Sequence, residues 1–178
     1  MFADLINLSK IRRALLYAFC FGVALWLQFS VFSRAGLPSP GTGGTVKPFF
    51  IPVVVVALGL WEGGVWGGVY GLLAGLYCDM NLAGSTVLFL ILLAAVGFFS
   101  GVLADFLINR RFVAYLLLSA AALLLTALSQ TVGPLLFRGA PVEALLPVAL
   151  YQTLWSLPFS VPAYFAVRAI AHSDLEPD

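Results

Sequence analysis

A chain of 178 residues with 62% hydrophobic and only 10% charged side chains is too apolar for an ordinary soluble domain, in which about a quarter of residues are charged. Nine Lys or Arg against eight Asp or Glu leave a net charge of +1, which excludes a basic field for nucleic acid. At about 20 residues per transmembrane helix plus turns, residues 1–178 form a single all-α membrane domain of about six spans, with no room for a separate extramembrane domain.

The first predicted span is 14–32, roughly 28 Å of helix preceded by Lys10, Arg12 and Arg13. A cleaved leader ending near Ser33-Arg34-Ala35 is the rival reading, but 19 apolar residues exceed the roughly 7–15 of a signal peptide. Residues 33–47, rich in Gly, Pro, Ser and Thr, predict an exposed outer loop. Pro48 suits the first turn of a second span over 49–61, which is short at about 20 Å and leaves full crossing open. Glu62-Gly63-Gly64 breaks it. The third, fourth and fifth spans are 65–82, 85–108 and 112–132, and the sixth is 144–167, where Pro147, Pro158 and Pro162 predict kinks. Residues 172–178 form an acidic tail with Asp174, Glu176 and Asp178, and the single histidine, His172, belongs to it.

Counting basic residues orients the chain. Six spans place Lys10, Arg12, Arg13, Arg110, Arg111 and Arg168 on the cytoplasmic side, against Arg34, Lys47 and Arg138 outside. Reading 49–82 as one helix reverses that bias and demands about 51 Å, far beyond a bilayer core. Both termini are therefore expected in the cytoplasm.

The most informative local pattern is Gly59, Gly63, Gly67, Gly71 and Gly75 at intervals of four, with Asp79 one turn further on. Gly97, Gly101 and Asp105 repeat it in the fourth span. Such a face lets another backbone approach closely, a main source of helix association in lipid. The expected mate is the protein's own first or sixth helix, and the alternative is a groove for a partner helix. Asp79 opposes the macrodipole at a helix C-terminus and needs a partner: Lys47, Arg34, Arg138 or a backbone donor near Ser85. Asp105 is neutralised most simply by Arg110 and Arg111, and Glu62 reads as a solvated loop charge. Gln28, Gln130 and Gln152 are single amides able to bond across a bundle, Trp61 and Trp66 read as interfacial anchors, and Ala14, Ala18 and Gly22 make a second small-residue line.

Catalytic constellations are missing from this pattern. A serine mechanism needs a base, yet the one histidine lies in the tail; an aspartyl mechanism needs two carboxylates at one site, yet Asp79 and Asp105 fall on opposite surfaces. Cys20 and Cys78 lie in apolar runs, and there is no phosphate-cradling loop or metal spacing. The reading is a non-enzymatic protein without metal or cofactor.

Lys47-Pro48 before an apolar run ending at Trp61, then Gly67, Gly71, Gly75, Asp79 and Gly84-Ser85-Thr86, together resemble the rod-shape-determining MreD family. The Leu154-Trp155-Ser156-Leu157-Pro158 stretch, ending in Arg168, resembles that family's last span. The resemblance implies a multi-pass subunit of the bacterial cytoplasmic (inner) membrane. It implies docking of MreC, with MreB, RodA and the elongation transpeptidase in the same peptidoglycan-synthesis complex. It also implies a fold similar to the substrate-binding subunits of energy-coupling-factor vitamin transporters, which makes such a subunit the alternative function.

Overall fold

The computed structural model describes residues 8–34, 36–39, 44–81, 88–106, 112–139 and 141–172. Helix α1, Leu8–Leu27, runs into a π-helical turn over Gln28–Phe32. A short antiparallel hairpin follows, β1 Leu37–Ser39 and β2 Gly44–Val46, with Leu37 opposite Val46. The predicted loop over 33–47 is thus partly a hairpin, and Val46 is buried while its neighbours Thr45 and Lys47 are exposed, the alternation of a half-buried strand.

Helix α2 is Ile51–Glu62, α3 Gly64–Asn81, α4 Leu88–Phe106 and α5 Phe112–Arg138. Helices α6, Val142–Ser156, and α7, Ser160–His172, join through a 3-10 turn at Leu157–Phe159. Of the three predicted kinks, the break falls at Pro158. Pro147 lies within α6 and Pro162 in the first turn of α7, where its missing N–H is needed least. His172 closes α7 and does not belong to the tail. Gly139, at φ +60°, ends α5 as a left-handed C-terminal glycine.

Among the described residues four helical stretches are long and apolar enough to cross a membrane: Ile11–Phe32, Leu88–Asp105, Phe112–Leu136 and Val142–His172. Helix α2 has 12 residues, about 18 Å, and is too short to do so alone. It begins at Ile51, so Pro52 rather than Pro48 occupies its first turn. Every residue from Ile51 to Leu60 is buried, which makes α2 the axis around which the other helices pack. That is why its sequence is apolar all round, without the stripe of a half-exposed helix.

Direction reverses at the turn between α2 and α3. Gly63, at φ +89°, permits a turn that a residue with a Cβ resists, and α3 folds back along α2. Helix α4 then returns antiparallel to α3. We call the end where α1 starts the base. There Arg13 meets Glu62, and Trp61 meets Tyr164 and His172 at 6.1 and 5.3 Å between ring centroids. At the other end, the top, Phe32, Phe50 and Phe159 form a mutual cluster at 4.8–5.3 Å.

Candidate functional site

The glycines define a seam among α2, α3 and α4. Gly59 and Gly67, four residues on either side of Gly63, meet across the hairpin: a Cβ on Gly67 would lie 2.6 Å from the Gly59 Cα. A Cβ on Gly59 would lie 2.5 Å from the Gly97 carbonyl oxygen. The seam continues along α3, where a Cβ on Gly71 would sit 2.7 Å from the Leu93 carbonyl carbon and one on Gly75 2.7 Å from the Leu90 nitrogen. Gly101 packs on Gly63 and Gly64. The paired numbers 64 with 101, 67 with 97, 71 with 93 and 75 with 90 fall on one side as they rise on the other, which is an antiparallel register. The expected mate, the first or sixth helix, is replaced by the fourth: Gly97 and Gly101 meet α3 glycine to glycine, and Gly71 and Gly75 admit the α4 backbone at Leu93 and Leu90.

Asp79 and Asp105 stand at opposite ends of the seam. Asp79 is half-buried at the top and accepts a hydrogen bond from the Leu90 N–H at 3.0 Å. This is a helix N-cap supplied by the neighbouring helix, and it matches the expected backbone donor at the start of the fourth span. Asp105 is exposed in the last turn of α4 beside Gly63. Arg110, Arg111 and Ser85 lie outside the described residues.

A buried N-terminus on α2 raises a sharper problem, because unpaired backbone N–H groups are costly away from water. Two side chains from different helices solve it. Gln28, 4% exposed, accepts from the Phe50 N–H at 3.0 Å and donates to the Pro48 carbonyl at 2.9 Å. Ser156, fully buried, accepts from the Phe49 N–H at 2.8 Å and donates to the Gln152 carbonyl at 2.6 Å. The π-helical turn begins at Gln28, and such turns re-aim side chains in an otherwise regular helix. Trp155, beside Ser156, donates from its indole to the Pro38 carbonyl at 3.3 Å and ties the hairpin to α6.

At the base, Arg13 hydrogen-bonds and ion-pairs with Glu62 and lies 5.6 Å over the ring of buried Tyr17. Glu62 is therefore an interhelical partner rather than a solvated loop charge. Trp61 is half-buried among Tyr164 and His172, whereas Trp66 is 57% exposed as an anchor would be. Gln152 donates to Gln130 at 3.3 Å between α6 and α5.

The amides were visible in the sequence as isolated polar residues. Ser156 and the Arg13–Glu62 pair were not, because partners 107 and 49 residues apart leave no spacing signal. Among the described residues no three His, Cys, Asp or Glu side chains gather as a metal site. The small-residue line on α1 faces outward: Ala14, Ala18 and Gly22 are exposed, and a Cβ on Gly22 would meet nothing within 4 Å. Comparisons of the chain with protein-family profiles, with curated proteins and with solved structures return no match.

Proposed function

We propose that this chain is a six-pass scaffold of the bacterial cytoplasmic membrane, of the MreD kind, with both termini cytoplasmic. On this reading the two segments that fall short as independent spans, α2 and α3, cross as a hairpin shielded by the longer helices. The protein docks the transmembrane helix of MreC and helps to organise wall synthesis with MreB, RodA and the elongation transpeptidase. Its mechanism is assembly, not chemistry.

The observation that carries the docking role is the outward α1 face. The α3–α4 glycines are occupied by each other, whereas Ala14, Ala18 and Gly22 offer an open small-residue surface flanked by exposed Leu15, Phe19 and Trp26. Backbone approach at such a surface is the usual way helices associate in lipid.

Co-purification with MreC from native membranes tests this reading. Gly22→Leu has open space around it, so it should keep its thermal stability while losing MreC. A stable Gly22→Leu protein that retains MreC at wild-type yield removes the docking role from α1. If instead no MreC co-purifies with the wild type and a vitamin raises its melting temperature, the substrate-binding subunit of an energy-coupling-factor transporter replaces the scaffold.

A further inference from the structure

We draw no further inference here: the strongest candidate, the open apolar groove along α6 lined by Leu146, Pro147, Leu150, Tyr151 and Leu154, carries nothing because nothing in the structure shows what covers it.

Discussion

Gly67 on α3 and Gly97 on α4 face each other backbone to backbone, and a Cβ added to either would strike the carbonyl of the other. The contact is reciprocal, so neither helix can yield without moving the whole antiparallel register of the seam. Substituting Ala at Gly67, Gly71 or Gly97 should therefore destabilise the protein by about 1–3 kcal/mol each, the usual range for overpacking a close contact. Gly22→Ala, at an open helical position, should be neutral or stabilising by up to about 1 kcal/mol. Thermal unfolding in detergent separates the two groups. Equal melting temperatures for Gly22→Ala and Gly67→Ala would remove the distinction between seam and surface.

The start of α2 depends on acceptors from other helices. Gln28→Leu leaves the Phe50 N–H and Pro48 carbonyl unpaired, and Ser156→Ala strands the Phe49 N–H. Each should cost about 1–3 kcal/mol, the penalty for an unsatisfied buried group. Hydrogen exchange should speed up at residues 49–53 while the α3–α4 seam stays protected. Uniform exchange across the bundle would show that these bonds do not act locally.

Asp79 caps α4 through the Leu90 N–H, a role that needs an acceptor and not a charge. Asp79→Asn should remain within a few tenths of a kcal/mol of wild type, while Asp79→Ala should lose about 1 kcal/mol. If Asn is as damaging as Ala, the carboxylate's charge matters more than its hydrogen bond.

The Arg13–Glu62 pair joins the start of α1 to the end of α2, with side chains 29% and 20% exposed. A double-mutant cycle with Arg13→Met and Glu62→Gln should give a coupling of about 1 kcal/mol, above the median of exposed pairs. Reversing both charges should recover most of the single-variant losses. Coupling within error of zero means that the two side chains merely lie close.

Much of this architecture was legible in the order of residues. Apolar runs bounded by Glu62-Gly63-Gly64 and by polar turns located the helices, because in lipid a backbone must bond to itself. Glycines at intervals of four announced close packing, because their period matches one face of a helix. The isolated amides Gln28, Gln130 and Gln152 announced interhelical bonds, because an amide among apolar neighbours needs a partner. What such patterns cannot specify is the partner itself. A stripe on α3 is compatible with any helix that carries small residues, and only the packed bundle selects α4 by matching Gly97 and Gly101 to its levels. Likewise, burial of α2 on every side is a property of the helices around it. It turns Ser156 into a cap, Glu62 into an ion-pair partner, and leaves Ala14, Ala18 and Gly22 as the small-residue line that faces outward. The sequence by itself determined an apolar helical protein built for close packing. The tertiary structure decided which of its surfaces are spent on that packing and which remain open, because contacts between helices far apart in the chain are set by three-dimensional fit rather than by local period.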